Sequence, residues 1–411
     1  MKALVVAGGV PQIELIQQLK ERGIETVLID GSDNPIARPF CDDFVRVQIF
    51  DIEAVKKVAI EKKVDFLITV CADQVLLVVA QVSEMLGLPC YIDYKTAQDV
   101  SDKLRMKQIF KDHGIPTSSY VRMDTLDLDA IRDLKFPLVV KPVDAYSSRG
   151  VRKCEDIEEL KKYWVEASEI SRSGDVIVEE FCPGTEISVD AFIVDGKAHI
   201  LCVSNSEKVK DADRFVIFRG RYPVCASQAV LDEIEEIAQK ITDAFGLVNA
   251  PLLVQMINDG EHVSVLEFCA RTGGNMKWLL IKHSCGVDVI TATIDITLGR
   301  KPDISFKETG NDYVVNDFIY CHEGIYDHVE GFDELVKEGV INEYHVSRPV
   351  GWHLFGNTNS SSDRICGVNI VANSLEEFNE KHRRFAAETK VVSSEGEDLM
   401  RHDLLPDLEP L

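Results

Sequence analysis

No apolar run in this 411-residue chain approaches the roughly 20 residues that a membrane-spanning helix needs, which excludes an ordinary transmembrane segment. Basic residues are scarce as well. There are 45 Lys and Arg against 69 Asp and Glu, a formal net charge of -24. A nucleic-acid surface needs clustered Lys and Arg against the phosphate backbone, and no basic block supplies them. A nucleotide-sized anion stays within reach, but only through a few placed lysines. The 11 cysteines show no CxxC pair and no zinc spacing, and an odd number over this length makes a poor disulfide framework. They read as reduced thiols, so the expected location is cytoplasmic. His322, His328, His345 and His353 lack the H-E-x-x-H and H-x-x-E-H spacings of zinc hydrolases. The first turn, AGGVP, lacks the GxGxxG that brings a dinucleotide onto a helix start, and Asp30 is a weak ribose candidate. The opening MKALVVAGG is a short apolar stretch followed by PQIELIQQLKERG, which reads as an amphipathic helix and not as a signal-peptide cleavage region. The chain is expected to be neither secreted nor membrane-spanning.

What is present is a hydrophobic content of 45% over a length that ordinarily divides into two to four domains. Strand ALVVA, helix Pro11 to Arg22, strand ETVLID, helix Ile52 to Lys62, strand VDFLITV and helix Asp73 to Leu86 alternate as in an open parallel α/β sheet. After GLPCYI, SDKLRMKQIFKDHGIP predicts one helix capped by Ser101 and closed by Gly114, with Lys103 and Lys107 on one face. Such lysines are ordinarily solvated. FPLVVKPVDAYSSRGV then gives an apolar strand ending in Lys141 and a small-residue loop, Ala145 to Gly150, whose backbone amides can point at one anion. In VIVEEFCPGTEISVDAFIV two strand-like runs meet at Pro183 and Gly184, with Glu179, Glu180 and Glu186 around the turn.

PLLVQMI and VSVLEFCARTGG, joined across NDGE, read as a hairpin carrying Gln255, Glu267 and Arg271. A carboxylate ending an apolar strand is costly to desolvate unless a cation offsets it. That cation is either a metal ion or Arg271, four residues on. If Asp259 and Gly260 alone form the loop, Gln255 pairs near Ser264 and turns away from Glu267. A loop one residue longer, with a bulge, puts both on one face.

In this order, the DK-helix, VVKP with its loop, VEEF with PGTE, the strand Gln and LEFxAR resemble the ATP-grasp superfamily over residues 1 to 300. SSSDRICGVNIVANSLEEF and SSEGEDLMRHDLL resemble the C-terminal piece of its carbamoyl-phosphate-synthase-like and glycinamide-ribonucleotide-synthetase-like members. The resemblance implies an α/β and α+β fold: an open parallel pre-ATP-grasp domain over 1–95, an ATP-grasp core over 96–300 with a small mobile lid over 117–202, and an α+β extension over 301–411. It implies that Lys103 and Lys141 hold ATP phosphates under a loop containing Ser147, Ser148 and Gly150. Glu179 would face the adenine amino group, Glu180, Phe181 and Cys182 would form the hinge pairing with the ring, and Glu186 would take the ribose. Lys208 would reach the γ-phosphate, and Gln255 and Glu267 would hold Mg2+, or Mn2+ in its place. Arg271 would steady the transferred phosphoryl group, acting with Lys141. One departure is Cys269, where many members carry a metal-binding asparagine. A thiol is a poor Mg2+ ligand, so Asn275 or water completes the shell or one ion is held more loosely.

The implied reaction joins a small-molecule carboxylate, such as an amino acid, to an amine through an acyl-phosphate with release of ADP and phosphate. Bicarbonate as the acid and a non-catalytic nucleotide-binding regulator are the alternatives; no biotin-attachment motif and no glutaminase region is present. RTGGN offers a carboxylate fork or merely a turn. Homodimers are frequent in the superfamily, and no nucleic-acid or membrane partner is expected.

Overall fold

Alternation of β-branched runs with amphipathic stretches shapes the first layer. The computed structural model describes residues 1–144, 149–210, 214–274 and 276–409. Strands β1 (Lys2–Val6), β2 (Glu25–Asp30), β3 (Asp43–Arg46) and β4 (Phe66–Ile68) form a parallel sheet in the order β3-β2-β1-β4. Helices α1 (Val10–Glu21), α2 (Ile52–Lys62) and α3 (Asp73–Leu86) connect them. Leu4, Val6, Val27 and Ile29 pack on the α2 and α3 side, while Ala3, Val5 and Leu28 pack on the α1 side, so the inner strands are buried on both faces as parallel sheets require. Asp51 caps α2 by accepting from the Ala54 amide, and Gly87 closes α3 at φ 64°.

The helix expected after Ser101 is present, its cap one residue later than expected, and a further helix precedes it. Ser101 ends α4 (Tyr94–Ser101), and Asp102, extended at φ -95° and ψ 108°, caps α5 (Lys103–Asp112) by accepting from the Leu104 and Arg105 amides. The aspartate holds the cap because its carboxylate reaches both orphan amides of the first turn.

Strands β5 (Tyr120–Met123), β6 (Leu138–Pro142), β7 (Arg152–Cys154) and β8 (Val176–Glu180), with helix α6 (Ile157–Ile170), form a small antiparallel layer in the order β5-β8-β6-β7. Its last strand ends at Glu180, so the remainder of the 117–202 segment lies elsewhere. The large sheet contains β9 (Thr185–Val194), β10 (Lys197–Lys208), β11 (Ile217–Tyr222), β12 (Ala250–Asn258) and β13 (Val263–Cys269), backed by α7 (Gln228–Ala244), α8 (Lys277–Cys285) and α9 (Val289–Thr297). Beyond them come β14 (Tyr313–Ile319), β15 (Glu323–Glu330), α10 (Phe332–Lys337), β16 (Glu343–Val346), β17 (His353–Phe355), β18 (Cys366–Ala372), α11 (Leu375–Glu388) and β19 (Lys390–Ser393). The eight-stranded order β13-β12-β9-β10-β11-β14-β18-β16 shows the C-terminal region continuing the core sheet by main-chain pairing of β11 with β14. A separate sheet, β17-β15-β19, completes this end.

Period-two alternation divides the large sheet into two faces. Ile187, Val189, Val254, Met256, Val265 and Phe268 pack with α7. Glu186, Ser188, Asp190, Gln255 and Glu267 occupy the alternate positions of the same strands. Among the described residues no disulfide is formed, and no helix is long and apolar enough to cross a membrane.

Candidate active site

The β12-β13 hairpin meets the condition for bringing Gln255 and Glu267 together, with one more loop residue than the minimum anticipated. Asn258 pairs with Val263 around the four residues 259–262, the register shifts between Gln255 and Met256, and Gln255 then lies directly opposite Glu267. The turn is held by Asp259 Oδ1, which accepts from the Glu261 and His262 amides.

Two cavities meet at this pair. The first, of about 380 Å3, lies between the small layer and the large sheet. Lys103, Lys141, Arg149, Lys153, Lys208 and Arg214 line it, against Glu179, Glu180, Glu186 and Glu267. Val139, Val151, Phe181, Val209, Phe215, Ile257 and Leu266 supply an apolar part, in which the Phe181 and Phe215 rings stack at 6.4 Å. Glu180 and Phe181 donate their amides to the Ser119 and Pro137 carbonyls, so two of the three hinge amides are used by the fold. Gly150 has φ 72°, and a Cβ there would lie 2.9 Å from Pro142 Cγ, so the chain returns beside β6 only as glycine. Ser147 and Ser148 lie outside the described residues, as does Asn275.

Glu179 is the charge junction of this cavity. Its Oε1 is 2.5 Å from Lys141 Nζ, and its Oε2 is 2.8 Å from Lys107 Nζ and accepts from Ser118 Oγ at 3.0 Å. The carboxylate expected at an adenine amino group is thus committed to two lysines. Burial alone would raise the Glu179 carboxyl, but Lys141 and Lys107 override it and hold it down at about 2. Lys107, expected to be solvated, is only 2% exposed, and burial pulls its ammonium below the ordinary value. Lys208 Nζ lies 2.6 Å from Glu186 Oε2, while Gln255 Nε2 donates to Glu186 Oε1 at 3.1 Å. Lys103 Nζ lies 3.2 Å from Glu267 Oε2 and holds that carboxyl below its usual range.

The second cavity, of about 480 Å3, shares Lys103, Gln255 and Glu267 with the first. Ile49, Phe50, Val75, Val100, Met106, Ile217, Leu253 and Phe268 make much of its wall apolar. Asp73, Ser188, Ser206, Cys269, Arg271 and Lys277 are its polar groups. Arg271 lies here, its Nε and NH2 bonded to the two Asp73 oxygens at 2.5 and 2.6 Å and its NH1 to the Thr272 carbonyl at 2.9 Å. Burial pushes the Cys269 thiol well up, so it stays protonated. Lys277 Nζ donates to Ser204 Oγ at 2.6 Å and lies 3.5 Å from Asp190, whose carboxyl burial raises. Ser188 Oγ is buried with no hydrogen-bond partner among the described residues.

The sequence reading missed Lys107, Asp73, Ser188, Asp190, Ser204, Ser206 and Lys277. Alternation carries a signal for part of this set, since Glu186, Ser188 and Asp190 are polar at every second position of an otherwise apolar strand, whereas Ser204 and Ser206 lie in an unbroken polar run that shows no alternation. No local pattern marks Asp73 or Lys277.

Among the described residues no group of three His, Cys, Asp or Glu side chains could hold a metal ion. The donor set for a cation at the junction is therefore the Glu267 carboxylate and the Gln255 amide oxygen, the Gln255 nitrogen being turned to Glu186. Two hard oxygens fit Mg2+ when phosphate and water complete the shell.

Residues 134–278 match the model of the ATP-grasp domain family. The chain is 27% identical over 273 residues to phosphoribosylamine–glycine ligase of Lactococcus lactis, covering 62% of each protein. It is 22% identical over 304 residues to the carbamoyl phosphate synthase large chain of Clostridium acetobutylicum, covering 71% of this chain and 27% of that one. The chain thus spans less than two thirds of the length of either curated relative. Among solved structures, L-amino acid ligase from Bacillus licheniformis superposes with a TM-score of 0.80 at 18% identity, covering 96% of this chain and 98% of that one. The biotin carboxylase domain of Hydrogenobacter thermophilus 2-oxoglutarate carboxylase, crystallised with MgADP and bicarbonate, gives 0.77 at 17% identity, covering 97% and 91%. Residues 134–278, which carry Lys141, Glu179, Gln255, Glu267 and Arg271, are thus the part of the chain that matches the ATP-grasp domain family.

Proposed function

We propose that this chain is an ATP- and Mg2+-dependent carboxylate–amine ligase of the cytoplasm that forms an amide bond through an acyl-phosphate, releasing ADP and phosphate, with an amino acid or similar small acid as substrate. The observation that carries the reading is the meeting of a cationic cavity and a half-apolar cavity at Lys103, Gln255 and Glu267. A carboxylate is a poor electrophile, and phosphorylating it in the second cavity with ATP held in the first gives it a leaving group that an amine displaces. Phosphoryl transfer asks a protein mainly for positioning and charge neutralisation.

On this reading Val139, Val151, Phe181 and Leu266 enclose the purine, and the Cys182 main chain meets its edge. Lys103 and Lys141 hold phosphate oxygens, Lys141 being aimed by Glu179, and Lys208 lies over the ribose and terminal phosphate beside Glu186. Glu267 and Gln255 would hold Mg2+, which when bound neutralises phosphate charge. Arg271 faces the carboxylate end of the reaction, and the apolar wall from Phe50 to Phe268 receives the side chain of the acid. The small layer excludes water while the acyl-phosphate exists. On this reading the chain divides into residues 1–95, 96–300 with a lid over about 117–202, and 301–411.

The test is product analysis from Mg-ATP across a panel of amino acids, with and without bicarbonate, separating ADP plus phosphate from AMP plus pyrophosphate. Amino-acid-dependent ADP is the expected result. ADP that needs bicarbonate alone would move the protein to the carboxylase and carbamoyl-phosphate side of its relatives, and AMP would overturn the acyl-phosphate route.

A further inference from the structure

We propose that Asp73, delivered by the first turn of α3 in the N-terminal layer, is a positioning residue for Arg271. The pairing itself stands on geometry; its kinetic consequence rests on the ligase reading.

Arg271 leaves the end of β13 with Nε and NH2 on the two Asp73 oxygens at 2.5 and 2.6 Å, and NH1 on the Thr272 carbonyl at 2.9 Å. A two-point pair of this kind sets both the plane and the direction of a guanidinium, which a single contact leaves free to rotate. Arg271 is buried at 9% exposed, while the Asp73 side chain is 33% exposed at the wall of the second cavity. One side chain of the N-terminal layer therefore holds the arginine that follows the strand carrying Glu267. Among the described residues the N-terminal layer adds none to the lining of the first cavity and enters the lining of the second.

The test uses the full chain labelled with [15N]arginine, the Arg271 Nε–H signal being assigned by its loss in Arg271→Lys. The expected result is a slowly exchanging signal in the wild type that persists in Asp73→Glu and merges with the solvent-exposed arginines in Asp73→Asn. In steady-state ADP release, Asp73→Asn should lower kcat about 10²-fold while KM for ATP stays unchanged, and Asp73→Glu should restore most of the rate. An unchanged Arg271 signal in Asp73→Asn overturns the proposal, and so does a variant whose kcat is kept while KM for ATP rises. If Asp73→Asn does not fold, Asp73→Ser takes its place; an Arg271 signal that exchanges as slowly there as in the wild type overturns the proposal. A wild type that releases no ADP with any acid and amine would count against the ligase reading, while the Nε–H signal would still decide the pairing.

Discussion

The two cavities share three residues and handle charge in opposite ways. The first presents six basic side chains against four acidic ones, an excess of positive charge within a chain of net -24. In the second, the charges beyond the shared residues are compensated inside the protein, Arg271 by Asp73 and Lys277 by Asp190, between apolar walls. A site left cationic is suited to a polyanion. A site whose ions are already paired discriminates by shape and by hydrogen bonding, because any further charge must displace an existing partner. On the proposed reading, the first cavity would hold the nucleotide and the second would select the substrate.

The strongest way to break this comparison is at its cationic side. Lys141→Ala and Glu267→Gln are each expected to abolish ADP formation, a loss of at least about 10²-fold, while circular dichroism shows an intact fold. Wild-type turnover by either variant would remove the assignment of the first cavity to ATP.

Acid sensitivity sharpens the contrast at the next level. The folded Glu179 carboxyl lies at about 2, against an ordinary 4.5, so its contribution is fully present above pH 4.5 and is lost as pH falls toward 2. Urea unfolding of wild type against Glu179→Gln should show a stability gap on the order of 3 kcal/mol at neutral pH that closes across that window. A gap independent of pH would mean that Lys107 and Lys141 do not depress the carboxyl in the folded state.

The smallest effect is expected at Cys269. Cys269→Asn adds a hard oxygen beside Glu267, so the Mg2+ concentration for half-maximal ADP release should fall or stay the same. A large loss of activity would give the thiol a role of its own in the site.

Much of the N-terminal layer was legible because its signals are local. The apolar period of DQVLLVVAQVSEML and the glycine after it place α3 at its observed bounds, and Asp51 places the start of α2. The break before α5 was not legible, since Ser101 and Asp102 are adjacent residues that both favour helix caps. The short strand β3 was missed because its four residues are at most half-buried and carry no strong apolar pattern. Of the candidate site, Lys141, Gln255, Glu267 and Arg271 stood out as charged or polar groups in apolar strands. Lys107 looked like a solvated helix residue because the carboxylate that holds it, Glu179, lies on strand β8, remote along the chain from helix α5.

Sequence alone therefore settles the order of the elements, the apolar and polar faces of each strand and the narrow choice of registers for the Gln255 and Glu267 hairpin, all of which depend on neighbours within a few positions. Which register is used, which lysines are buried, and that Arg271 is held by Asp73 across a sequence separation of 198 residues are decided by the packing of the layers. Ion pairing and desolvation depend on distance in space, and distance in space between remote residues is not written in any local pattern.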